Sequence, residues 1–209
     1  PGLVLEYGTK YSKDTIIAGN KQEVIYDGNK FINKEEKMEY DTIFDLASTS
    51  KLFTSLAIYT LVDNNIIDLE EDVTKYSPEF KDLKGIKIKD LLTFSKRICT
   101  KDRIDKANNP IEAREILLTS YIPENQNLQN AYTDMGVMVL KCVIEDVTKM
   151  RFTDYVQEMI LNIAGMNETY LNVPIELRNR CINENYSTII NNQGRQVIRM
   201  DNEKGTVHD

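Results

Sequence analysis

Thr42-Ile43-Phe44-Asp45-Leu46-Ala47-Ser48-Thr49-Ser50-Lys51 is the stretch on which the reading of this chain turns. It sets a hydroxyl, Ser48, and an amine, Lys51, three residues apart at the head of a long apolar segment. In a helix, residues i and i+3 are neighbours on one face. A serine at a helix start with a lysine one turn on can act as a nucleophile and its base. Serine is also an ordinary helix N-cap, and S-x-x-K alone is short enough to arise by chance. The flanks must therefore decide. From Lys51 to Asp63, Leu52, Phe53, Leu56, Ala57, Ile58, Leu61 and Val62 point to nearly every side, the pattern of a helix buried all round. A lysine in such a helix needs a partner.

Upstream, three short β-prone runs, Leu3 to Tyr7, Thr15 to Ala18 and Glu23 to Tyr26, are punctuated by Gly8, Gly19-Asn20 and Asp27-Gly28. They predict an N-terminal antiparallel meander. Asn29 to Asp41 is charged and reads as a loop. Downstream, Asp72 to Phe80 is turn-rich, Lys87 to Thr93 is a short helix, and Pro110 to Tyr121 is a helix with proline in its first turn. Asp134 to Lys149 and Arg151 to Ile163 are amphipathic helices, the second stopped by Gly165. Strand-like runs resume at Ser187 to Ile190 and Gln196 to Met200. Strands around a helical block predict an α+β arrangement, a helical lobe inserted into an antiparallel-sheet lobe. Its expected parts are 1–47 as first strands, 48–170 as helical lobe and 171–209 as the return to the sheet.

The 209 residues are 41% apolar and 28% charged, which suits a globular chain, and the net charge is −7 with both signs interspersed. That balance argues against nucleic acid as a partner, since counterion release needs a basic surface. Cys99, Cys142 and Cys181 lack metal-ligand spacing, and His208 is the sole histidine. No structural metal or cofactor is expected, and the thiols are expected reduced. No apolar run reaches the roughly 20 residues of a membrane span. The start at Pro1-Gly2-Leu3-Val4-Leu5 reads like the inside of a domain. An upstream export segment would place the protein in the bacterial cell envelope or outside the cell; without one it would be cytoplasmic.

A second chemical element lies about 80 residues after Ser48, at Tyr132-Thr133-Asp134. A phenol beside a lysine ammonium can serve as a base, because the ammonium favours the phenolate. Lys51 and Tyr132 would then share the task that histidine has in other serine hydrolases.

With these residues in view, the chain resembles the serine β-lactamase and penicillin-binding family, in its class C-like branch. Thr42 to Lys51 is similar to "TxFxxASxTK". Leu61 to Leu69 with Asp72 to Tyr76 is similar to "LVExGKLxLDDPVxKYLP". Ile88 to Thr93 is similar to "ITIRHLLTHTSG", Tyr132 to Gly136 to "YSNxG", Gly165 to Thr169 to "PLGMxxT" and Gly205 to Asp209 to "GxVHD". The order is right and the matches span most of the chain. The resemblance implies a β-lactamase/transpeptidase-like fold and an acyl-enzyme on Ser48. Lys51 would assist deprotonation, Tyr132 would relay protons, and Asp134 would orient substrate where the family has an amide. The Ser48 N–H would form half of an oxyanion hole. Implied substrates are D-Ala-D-Ala-like peptides, β-lactams or esters, with no cofactor.

Two departures stand out. The family's third element, K-T-G or H-x-G, is not found; Lys204-Gly205-Thr206 belongs to the "GxVHD" segment. The sheet lobe is thus expected to be incomplete in this chain, completed by a further C-terminal segment or a second chain, and residues 1–209 alone are not expected to form a stable monomeric enzyme. Phe94-Ser95-Lys96-Arg97 stands where "HTSG" is expected. Both departures suit the alternative of a non-catalytic, penicillin-recognising or protein-binding relative.

Overall fold

Strand pairing begins at once in the computed structural model, which describes residues 2–26, 29–125, 131–182, 188–190 and 196–198. Strand β1 (Gly2–Gly8) pairs antiparallel with β2 (Lys13–Tyr26), and β2 pairs antiparallel with β3 (Phe31–Lys37), giving the order β1-β2-β3. In this register Leu3 faces Ala18 and Leu5 faces Ile16. The meander is as expected, but its boundaries are not. The predicted break at Gly19-Asn20 does not occur. Gly19 takes φ +78 and the register shifts between Asn20, Gln22 and Val24, so bulges absorb the irregularity and the strand runs on.

The segment expected to be a loop contains β3. Its charges, Lys34, Glu35, Glu36 and Lys37, sit on an edge strand whose backbone bonds to β2 while most of the side chains reach water. A charged edge also deters pairing with other chains. After β3, Lys21 from β2 is nearly enclosed and pairs with Glu39 at 2.7 Å. Ile43 then bridges in parallel to Cys181, with Ile43 N donating to Arg180 O (3.0 Å) and Ile182 N to Ile43 O (2.8 Å). Arg180 also pairs with Asp41 at 2.9 Å. The approach to Ser48 is thereby tied to the return segment. Strands β4 (Thr188–Ile190) and β5 (Gln196–Ile198) form a separate antiparallel pair. The contacts group Pro1–Ser48 with Tyr170–Asp209 as one unit and Thr49–Thr169 as another.

The second unit is helical. Helix α1 (Lys51–Asp63) has the predicted limits. Short helices α2 (Val73–Tyr76) and α3 (Ile88–Leu92) follow, then α4 (Pro110–Leu117), α5 (Asp134–Thr148), and α6 (Phe152–Val156), which runs through a π turn at Gln157–Leu161 into α7 (Asn162–Ala164). Asn109 caps α4 by accepting from Ile111 N and Glu112 N, ahead of Pro110. Gly165 ends α7 at φ +66, a left-handed position that suits glycine. The core joins Ala57, Ile58 and Leu61 of α1 to Leu91 of α3 and Val139, Leu140, Val143 and Ile144 of α5, all essentially buried. Helix α1 is not buried all round as its composition predicted. Leu52, Leu56 and Tyr59, spaced i, i+4, i+7, remain exposed.

A polar junction crosses this core. Ser77 Oγ donates to Asp146 Oδ2 (2.7 Å), and Arg114 donates to Asp146 Oδ1 (3.0 Å) and to Glu79 Oε2 (2.7 Å). One carboxylate on α5 therefore ties down α4 and the end of α2. Cys99, Cys142 and Cys181 are free thiols. Among the described residues, no helix is long and apolar enough to cross a membrane.

Candidate active site

Ser48 lies in a 3-10 turn, Ala47–Ser50, that leads straight into α1. Its side chain is exposed. Just before it, Ala47 adopts φ +43, a region that a residue with a β-carbon enters at a cost. Ala47 N donates to Asp45 Oδ1 (2.8 Å), which helps hold the sharp entry. Backbone strain of this kind collects at functional positions. The capping position of α1 belongs to Ser50, whose side chain makes no capping hydrogen bond.

Lys51 is the first residue of α1, and its side chain is only 12% exposed. The partner that such a lysine needs is Asp134, whose Oδ1 lies 2.8 Å from Nζ. Oδ1 is itself enclosed, which shields the pair from water on that side. Asp134 is the first residue of α5; Thr133 precedes it in extended conformation and holds the cap position. A carboxylate in the first turn complements the helix dipole as well as the lysine. Asp134 sits one residue past the cap and pairs with Lys51.

Tyr132 immediately precedes that junction. Its ring centroid lies 5.5 Å from Lys51 Nζ, within cation–π range. The side chain of Thr133 does not cap α5 but donates to Ile98 O (3.2 Å), pinning the junction to the segment after α3. Residues about 80 positions apart are thus brought together: Lys51, Tyr132 and Asp134 form one cluster. His208 and Lys204-Gly205-Thr206 lie outside the described residues. Among the described residues no group of His, Cys, Asp and Glu could hold a metal ion.

One member of the cluster escaped the reading of roles from sequence. Phe94 stands in the segment flagged as departing from "HTSG", and its ring lies 4.8 Å from that of Tyr132, tilted by 36°. The signal was present as an odd residue in a turn. Its contact was not legible, because it depends on a positive φ at Phe94 (+52).

A strand meander, a helical unit and an S-x-x-K turn entering the first long helix define the β-lactamase/transpeptidase-like class of fold. Solved structures agree. A class C β-lactamase from Rhodobacter sphaeroides superposes with a TM-score of 0.68 at 17% identity, covering 98% of this chain and 56% of that one. A penicillin-binding protein from Bacillus halodurans superposes at 0.60 with 18% identity, covering 93% and 60%. The family model described as Beta-lactamase matches residues 15–188. The chain belongs to the Beta-lactamase family. A Salmonella gallinarum protein named "Putative D-alanyl-D-alanine carboxypeptidase" is 28% identical over 167 residues, covering 70% of this chain and 38% of the relative. The chain thus spans well under half the length of such curated relatives.

Proposed function

We propose that this chain carries the nucleophile, the lysine and the tyrosine of a serine acyl-transfer site. Ser48 Oγ attacks a carbonyl carbon. As the O–C bond forms, the hydroxyl proton passes to the oxygen of Tyr132, which accepts it as a phenolate held beside the Lys51 ammonium. Tyr132 returns that proton to the leaving nitrogen or oxygen as its bond to the carbonyl carbon breaks. Water then attacks the resulting ester, releasing the acid and restoring the Ser48 hydroxyl. Lys51 stabilises negative charge on the phenol oxygen during both transfers, and Asp134 fixes Lys51 in place. General acid–base help of this sort contributes about 10²- to 10⁴-fold.

The observation that carries the reading is the convergence of Lys51, Tyr132 and Asp134, with the 2.8 Å ion pair and the 5.5 Å ring contact. An enclosed lysine gains nothing for packing that a leucine would not supply. The substrate class favoured is a D-Ala-D-Ala-like peptide, from the name borne by the curated relatives; β-lactams and esters share the same attackable carbonyl. Asp134 differs from an amide here in that its carboxylate accepts hydrogen bonds but donates none. A fluorescent penicillin and a fluorophosphonate probe test the proposal. Labelling of the parent protein and its loss in Ser48→Ala are expected; absence of labelling with both probes would favour a non-catalytic relative.

A further inference from the structure

We infer that Phe94 is a positioning residue, its ring seating the Tyr132 phenol beside the Lys51 ammonium. The inference rests on the acyl-transfer reading above and extends it to a residue that reading does not use. The first observation is the ring contact, 4.8 Å between centroids. Tyr132 is 55% exposed, so little else encloses its ring. An exposed tyrosine samples several rotamers unless something fixes it. Phe94 and the ammonium both lie against this ring, at 4.8 and 5.5 Å.

The second observation is where Phe94 sits. It follows Thr93, the cap of α3, and adopts φ +52. Helices commonly end on such a left-handed residue, and glycine is the usual choice because it lacks the crowded β-carbon. Phenylalanine is costly there, and the ring against Tyr132 is what it supplies instead. Strain retained beside reacting groups is a mark of function.

The third observation is that the Phe94 backbone is clamped. Asp90 Oδ2 accepts from Lys87 N (3.0 Å) at the start of α3. Asp90 Oδ1 accepts from Ser95 Oγ (2.9 Å), and Asp90 O accepts from Ser95 N (3.1 Å), beyond the end of α3. Four residues after Phe94, Ile98 O accepts from Thr133 Oγ1, next to Tyr132. One short segment thus supplies both the ring that Tyr132 rests on and the anchor for its neighbour. A displaced proton relay slows chemistry without weakening binding; about 1 Å of misplacement can cost on the order of 10²-fold.

The test measures acylation by a chromogenic ester or penicillin in single turnovers, separating the acylation rate from substrate binding, on the protein at its native length. Phe94→Gly should lower the acylation rate about 10- to 100-fold, with binding changed less than about 2-fold. Its melting temperature should stay within about 3 °C of the parent, because relief of strain offsets the lost contact. Phe94→Tyr, which keeps a ring, should restore the rate to within about 3-fold of the parent. An unimpaired Phe94→Gly would overturn the inference. So would a rate loss in both variants that follows the melting temperature, since that marks a merely structural role. A parent protein that shows no acylation would instead overturn the Ser48 reading, and this inference with it.

Discussion

Lys51 is the residue whose chemistry is most exposed to test. Its side chain is nearly enclosed and its charge faces Asp134. Lys51→Met keeps the apolar stem and removes the ammonium, and should reduce acylation by at least about 10²-fold with little loss of fold. Stopped-flow kinetics and a thermal melt on the same sample check both halves. A second residue-scale outcome concerns thiols. Burial pushes the Cys142 thiol up to about 11, so it is a poor nucleophile at neutral pH. Timed alkylation at pH 8 with peptide mapping should find Cys142 unmodified in the folded protein and modified once urea is added. Ser48, Lys51 and Tyr132 stood out in the sequence by fixed spacing and motif order, and the structure brings Lys51 and Tyr132 together. The Asp134 pairing was half legible, as the need of an enclosed lysine for a carboxylate. The Phe94–Tyr132 contact was not, since no sequence pattern reports a left-handed phenylalanine.

Elements show where propensity and tertiary context diverge. Helices α1, α4 and α5 start where the sequence placed them, because proline, a cap residue or apolar periodicity marks each start. Strand β3 was hidden, because its charges are those of an edge strand and resemble those of a loop. The polar junction at Asp146 was also invisible, since it joins Ser77, Glu79 and Arg114 from separate segments. Asp146→Ala leaves Arg114 and Ser77 short of a partner and should cost about 1–3 kcal/mol; urea denaturation measures it, and Ser77→Ala should cost less. Near the start of α3, two hydrogen bonds from Lys87 and Lys89 hold the Glu70 carboxyl at about 2. A carboxylate depressed in the fold adds stability above its unfolded value near 4.5, and loses it as pH falls toward 2. Glu70→Gln should therefore lower the melting temperature slightly at pH 6 and not at all near pH 2. The effect is small because the group is fully exposed.

At the scale of the molecule, a β1-β2-β3 meander, a helical unit and a return segment hold the family's order of parts. The order was legible because strands and helices carry different hydrophobic periods. Leu3, Leu5, Tyr7 and Ile16 stay exposed on one face of the β1–β2 pair, the uncovered apolar face that a sheet lobe lacking its third element was expected to present. The central claim is chemical: Ser48 is an acyl nucleophile. Its most direct test is intact-mass spectrometry after exposure to a penicillin, followed by peptide mapping. The account predicts a mass increase of one intact penicillin, mapped to the peptide that contains Ser48 and absent from Ser48→Ala. An unchanged mass, or an adduct that survives Ser48→Ala, would contradict it.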